Sequence, residues 1–236
     1  MTKHEPIDPG ADGIEQGKRL IRVDADRGHS LAQRVAEGFQ RLSWRTPLHK
    51  LRLRGRFPLK LLAAPDDPIV GDLKAGQALL QGWITWRGER IAVRELNFAA
   101  LQGSPGMVEY LHSFAWLRDL STAGTRQQGA PVAEAIMSRW LAAHAEHVGG
   151  LAWRADLWGT RILYWTAHAP LILSSRDLVY RSAVLNTLAR GARHLDRAAD
   201  KAPEGLGRVA AWAGLVAAGL LIPGGDPRRA FAEAGL

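Results

Sequence analysis

From about residue 105 onward the apolar positions recur three and four apart, interrupted only by short polar breaks, which is the pattern of amphipathic helices in succession. In the stretch 160–173, Ile162, Leu163, Trp165, Thr166 and Ala169 fall on one buried face, and Pro170 predicts a kink or a helix end. The break Ser174-Ser175-Arg176-Asp177 offers Ser174 or Ser175 as N-cap for a helix over 177–201. That helix is expected to bury Leu178, Val179, Ala183, Val184, Leu188 and Leu195. It would turn Arg181, Arg190, Arg193, Asp196 and Arg197 to water, with His194 on the same basic face. A third helix begins near Pro203 and stops before Pro223-Gly224-Gly225. Upstream, Val108, Leu111, Ala115, Leu117 and Leu120 form one stripe. Val132, Ile136, Trp140 and Leu141 form another over 131–147, with Pro131 in its first turn. A short further helix is expected over 227–234. Trp140, Trp165 and Trp212 lie on the apolar stripes and are expected between helices.

Before residue 105 the period changes. Residues 29–44 predict a helix with Ser30 as N-cap, and 1–28 reads as a flexible arm. In Lys50-Leu51-Arg52-Leu53-Arg54 the cations alternate with leucine. On a strand they would share one face, either as a strip for polyanions or as a solvated, charge-guarded edge. Residues 57–98 hold short apolar pieces and turns, with a hairpin expected from 79–86 and 91–93 around Gly88. Asp66, Asp67 and Asp72 read as turn residues, since their spacing lacks the regularity and the distal Glu of a calcium loop. The fold class is therefore mainly α. An irregular, strand-containing lead-in (29–104) precedes antiparallel helix pairs (105–236) stacked as an α/α toroid or solenoid.

Composition narrows the chemistry. The chain has no cysteine, which excludes disulfides, thiolate metal sites and a cysteine nucleophile. A net charge of +8, mostly arginine, favours anionic partners. No nucleic-acid module with interleaved aromatics is evident. The start lacks an apolar core and reads as no signal peptide, and no window has the length of a membrane span, so a cytoplasmic location is expected by default. His144 and His147 share a helix face, but without a third ligand no metal is assigned. No cofactor is called for, and His168, between two alanines, reads as a core residue.

Three stretches carry a resemblance. Trp153, Gly159-Thr160-Arg161-Ile162 and Trp165 resemble a W…(S)-x-R-I-x-N-W signature. Residues 110–117, Tyr-Leu-His-Ser-Phe-Ala-Trp-Leu, resemble a Y-N-L-H-Y-F-x-W-L helix, and 210–223 resemble an A-x-A-L-x-x-A-G-L-x-F-P helix. In this order and spacing they resemble the heparinase II/III superfamily over roughly the second half of the chain. The resemblance implies a polysaccharide lyase, cleaving uronic-acid polymers by β-elimination on an α/α toroid followed by a β-sandwich.

The same resemblance sets limits. The family's carboxylate neutraliser, an Asn-His pair, would fall at Gly205-Leu206-Gly207-Arg208, where both residues are missing. The tyrosine base and the β-sandwich lie beyond Leu236. The expectation is an incomplete toroid with no catalytic residue of its own, inactive as this chain. A non-catalytic binding module for acidic polysaccharide, or a helical scaffold, is the alternative. The candidate substrate contacts are His112, Trp158, Arg161 and Arg208. Arg161 offers a fork for a uronate and Trp158 a stacking face. The other reading packs Trp158 and His112 inside the bundle and ties Arg161 to a carboxylate such as Asp156. An uncovered helix over 209–221 predicts self-association.

Overall fold

The computed structural model describes residues 60–223, all within the unit Pro47–Leu236. The expected arm, the helix over 29–44, the basic strip 50–54 and the helix over 227–234 lie outside the described residues. Within them the chain is mainly helical, with eight α-helices and one two-stranded sheet.

Residues 60–72 form no regular element. Asp72, expected in a turn, is the N-cap of α1 (Leu73–Leu80), its carboxylate accepting from the Lys74 and Ala75 amides. Leu79 and Leu80 therefore close a helix instead of opening a strand. Gly82, at φ 86, then turns the chain into the hairpin of β1 (Trp83–Trp86) and β2 (Glu89–Ala92). Ile84 pairs with Ile91 and Trp86 with Glu89. The two-residue loop has φ 46 at Arg87 and φ 88 at Gly88, the left-handed geometry that matches strand twist. Glycine takes it freely, whereas an arginine there costs about 1 kcal/mol or more.

The stripe over 106–120 is two helices, α2 (Pro105–Ser113) and α3 (Trp116–Ala123). Ser104 caps the first by accepting from the Met107 amide, with Pro105 in the first turn. Phe114 separates them at φ 64 and is fully buried, so the contacts of its ring hold a backbone geometry unusual for a bulky residue. α4 (Arg126–His144) starts before Pro131 because Thr125 and Gln128 form a capping box, which leaves Pro131 inside the helix. α5 (Ala155–Ala167) and α6 (Ala169–Ile172) break at His168, beside Pro170 as expected. Asp177, and neither Ser174 nor Ser175, caps α7 (Leu178–Ala198). α8 (Leu206–Leu221) follows Gly205.

Val184, Leu188 and Leu195 of α7 are buried as expected, but Leu178 and Val179 are 71% and 80% exposed. They occupy the first turn after the cap, which lies on the surface. His194 departs from its expected place on the basic face and is fully buried, its ring nitrogen 2.8 Å from the Trp153 carbonyl. The buried side of α7 includes Gly191, where a Cβ would lie 2.0 Å from the Trp158 ring, so the indole fills the space a side chain would take.

These contacts fix the helix directions. Trp153 meets His194 and Trp158 meets Gly191, so α7 runs antiparallel to α5. Asp156 lies beside Gly207, and Gly159 beside Ala210 and Gly214, so α8 runs parallel to α5. Helices α5, α7 and α8 thus make an out-and-back arrangement of helix pairs. Trp140 and Trp165 are fully buried, whereas Trp212 is half-buried, at the edge of the α8 face formed by Ala211, Leu215 and Ala218.

Candidate functional site

Arg161 stands at the centre of the motif residues. It projects from α5 and is fully buried. Its Nε and Nη2 donate to the His112 carbonyl at 3.0 and 2.6 Å, and its Nη1 donates to the Ala152 carbonyl at 2.9 Å. The guanidinium lies 4.3 Å from the Trp140 ring centroid and 4.4 Å from that of Trp158. Carbonyl dipoles and two indole faces thus surround the cation. Asp156 is engaged by Arg154, which also binds Glu109 at 2.7 Å. Arg161 therefore has carbonyls where a carboxylate was one expectation. Burial pulls its pKa well below the ordinary arginine value, with the charge of Asp156 opposing.

The neighbours of that cation are neutral. Burial, then the charge of Arg161, then His144 bring His112 down to about 3. Trp140 Nε1 donates to His112 Nδ1 at 3.1 Å, which requires that nitrogen to be unprotonated. His144 is likewise lowered, first by burial, while its contact with the Phe98 carbonyl opposes the shift and the charge of Arg161 adds to it. Its Nε2 is 3.0 Å from that carbonyl, so the neutral ring carries its proton there. The Trp158 and Trp165 indole N–H groups are buried and find no acceptor among the described residues. Two unpaired donors cost about 1–3 kcal/mol each, so the cluster keeps its aromatic packing at the expense of hydrogen bonds.

Of the expected substrate contacts, His112, Trp158 and Arg161 come together but face one another inside the core. Helices α2, α4, α5 and α7 cross at this point and exclude solvent from it. Arg208 does not join them. It sits in the first turn of α8, donating to the Ala202 carbonyl at 3.3 Å and lying 3.7 Å from Glu204.

A second polar cluster was not foreseen. Arg118 binds Asp67 through Nε at 2.8 Å and Nη2 at 3.1 Å, and His168 Nε2 lies 3.2 Å from the same carboxylate. His168 is buried as expected, and Tyr164 stacks on it. Burial pushes the Asp67 pKa up, but the hydrogen bond and charge of Arg118 outweigh it and hold the carboxyl below its usual value. His168 is lowered by burial, with Asp67 opposing, so its neutral N–H donates to the carboxylate. Asp119 accepts from the Asp72 amide at 2.7 Å and from the Tyr110 hydroxyl, and Thr122 accepts from the Gly71 amide at 2.8 Å. This cluster straps residues 67–72 onto α3 and α6. Its members are 101 residues apart at the widest, so no local spacing announces it. Among the described residues, no group of three or more His, Asp or Glu side chains is placed to hold a metal ion, and no helix is long and apolar enough to cross a membrane.

No family model matches the chain, and no solved structure matches it. Among curated proteins it is similar to FtsZ-localized protein C of Caulobacter vibrioides, with 30% identity over 187 residues, covering 76% of this chain. The chain spans about a third of that relative's length (31%).

Proposed function

We propose that this chain is a toroid-building portion of a heparinase II/III-like protein, related to lyases that cleave uronic-acid polysaccharides by β-elimination, and that this portion is a scaffold without catalysis. One observation carries the reading. The residues of the resemblance converge: Arg161 joins the His112 carbonyl to the Trp158 and Trp140 rings, while the third stretch, α8, packs on α5 through Gly159 and Gly214. A motif that serves as a helix-crossing core accounts for its spacing without a role in chemistry. β-Elimination needs a carboxylate neutraliser and a base within reach of substrate. Gly205-Leu206-Gly207-Arg208 lacks the family's pair, and Arg208 cannot accept a proton at neutral pH. The test is absorbance of the 4,5-unsaturated uronate on a panel of acidic polysaccharides. No product is expected; product that disappears on a single substitution in this chain overturns the scaffold reading.

A second reading places the same scaffold beside FtsZ, as an interaction module. It is favoured by the likeness to a protein named for its localisation with FtsZ, which extends over 76% of this chain. A fluorescent fusion that gathers at FtsZ assemblies and disperses when FtsZ is depleted would support it. A uniformly distributed fusion would count against it.

A further inference from the structure

We propose that the Arg161 cluster is a halide site, with one chloride ion held between the Arg161 guanidinium and the indole N–H groups of Trp158 and Trp165. The first ground is charge. Arg161 is fully buried, and its hydrogen bonds all go to carbonyls, those of His112 and Ala152. Asp156 acts on it only at a distance, its two carboxylate oxygens being taken by Arg154. The neighbouring rings of His112 and His144 are neutral. A guanidinium keeps its proton inside a protein. Carbonyl dipoles and indole faces soften its burial but bring no counter-charge, and a buried ion without one is costly.

The second ground is an excess of donors. A guanidinium has five N–H groups, and Arg161 uses three of them, two on the same carbonyl oxygen. The Trp158 and Trp165 N–H groups have no acceptor among the described residues, although both side chains are fully buried. Trp140 is the contrast, since its Nε1 donates to His112 Nδ1 at 3.1 Å. Two guanidinium N–H groups and two indole N–H groups therefore remain around one buried cation. Donors gathered beside a positive charge make the coordination shell of an anion.

The third ground is that one helix gathers these groups. Trp158, Arg161 and Trp165 follow one another at spacings of three and four on α5, so they share a face. The guanidinium lies 4.4 Å from the Trp158 ring centroid, and the Trp158 and Trp165 centroids are 5.9 Å apart. Trp140 stands edge-on to both, at 6.0 and 5.6 Å. Rings packed this closely admit a single atom and leave no room for a carboxylate or a phosphate, whose oxygens fan outward. A water molecule would satisfy N–H groups but leave the charge, so a monatomic anion answers both grounds. The site stands on the geometry of the core and is independent of the function proposed above.

The test is diffraction at the bromine edge from crystals of the full chain grown in sodium bromide, together with thermal melts in which chloride replaces gluconate at constant ionic strength. An anomalous peak within hydrogen-bond reach of Arg161 and of an indole nitrogen is expected. The melting temperature should climb by about 3–6 °C for each tenfold rise in chloride above its dissociation constant. Trp158→Phe and Trp165→Phe each keep a ring and remove one donor. The chloride concentration at which the climb begins should then rise about tenfold or more, whatever the variant's own melting temperature. A peak confined to the surface marks an adventitious ion only. That result, a water molecule refined at the site, equal melts across the chloride series, or an unmoved onset in both variants would each overturn the proposal.

Discussion

Gly159 of α5 and Gly214 of α8 meet backbone to backbone: a Cβ on Gly214 would lie 2.3 Å from the Gly159 Cα, and a Cβ on Gly159 would lie 2.1 Å from the Ala210 carbonyl oxygen. The two parallel helices approach as closely as they do because neither has a side chain at the crossing. Gly159→Val should therefore force α8 away from α5. Overpacking of this kind costs about 1–3 kcal/mol or more. A lowered urea midpoint with unchanged far-UV helicity before the transition is the expected outcome. A variant as stable as the parent would show that α8 does not pack here.

Arg161→Ala removes a buried cation and leaves the His112 and Ala152 carbonyls facing a cavity. Each buried carbonyl left without its donor costs about 1–3 kcal/mol. Arg161→Lys should recover little, because a single ammonium cannot reproduce the planar fork that spans two carbonyls between two indoles. Equilibrium denaturation of both variants measures this. A lysine variant with parental stability would contradict the geometry.

Acid should weaken the fold in two separable stages. His112 is held at about 3 against a usual 6.5, so the unfolded chain binds that proton first. The stability from keeping it neutral is complete above the unfolded value and is lost as pH falls from about 6.5 toward about 3, at up to about 1.4 kcal/mol per pH unit. His144, also lowered, adds in the same direction. Asp67 acts lower down: its carboxyl is held below 3.8, so its contribution is present above that value and is lost as pH falls through the folded one. His112→Gln, which keeps an acceptor for Trp140, should flatten the dependence of stability between about pH 6.5 and pH 5. An unchanged slope would mean that His112 is not held neutral.

The strap over residues 67–72 should loosen when its anchor is cut. Arg118→Ala leaves Asp67 with His168 and the Ile69 amide and removes a charge-assisted pair worth about 1.5–3 kcal/mol. Amide exchange at Gly71 and Asp72, whose N–H groups donate to Thr122 and Asp119, should accelerate while exchange within α5 is unaffected. Equal acceleration in both places would mean that the strap and the bundle open together.

Much of the helical half is readable from residue order, because caps and apolar stripes act over a few positions. The helix breaks near Pro170 and before Pro223, the Trp140 and Trp165 stripes, and the turn at Gly88 all follow from neighbours in the chain. Three of the misplaced boundaries share one cause: a stronger local cap nearby. Asp177 displaced Ser174 and Ser175, the Thr125–Gln128 box began α4 ahead of Pro131, and Asp72 turned Leu79 and Leu80 into helix.

The sequence by itself determined that the described chain is mainly helical, that a hairpin precedes the helical half, and that a tryptophan-rich stripe must be buried. It also determined that no cysteine chemistry is available and that the positive charge is largely arginine. Only the tertiary structure decided the fate of the polar side chains. Arg161 takes carbonyls in place of Asp156, His194 turns inward to the Trp153 carbonyl while the Trp158 indole fills the space beside Gly191, and Asp67 finds Arg118 and His168 from far along the chain. The reason is physical. A helix stripe reports which side is buried, but the partner of a buried charge is set by which helices cross beside it and how closely. Here those crossings are decided by glycines whose missing side chains become visible only when another helix fills the space.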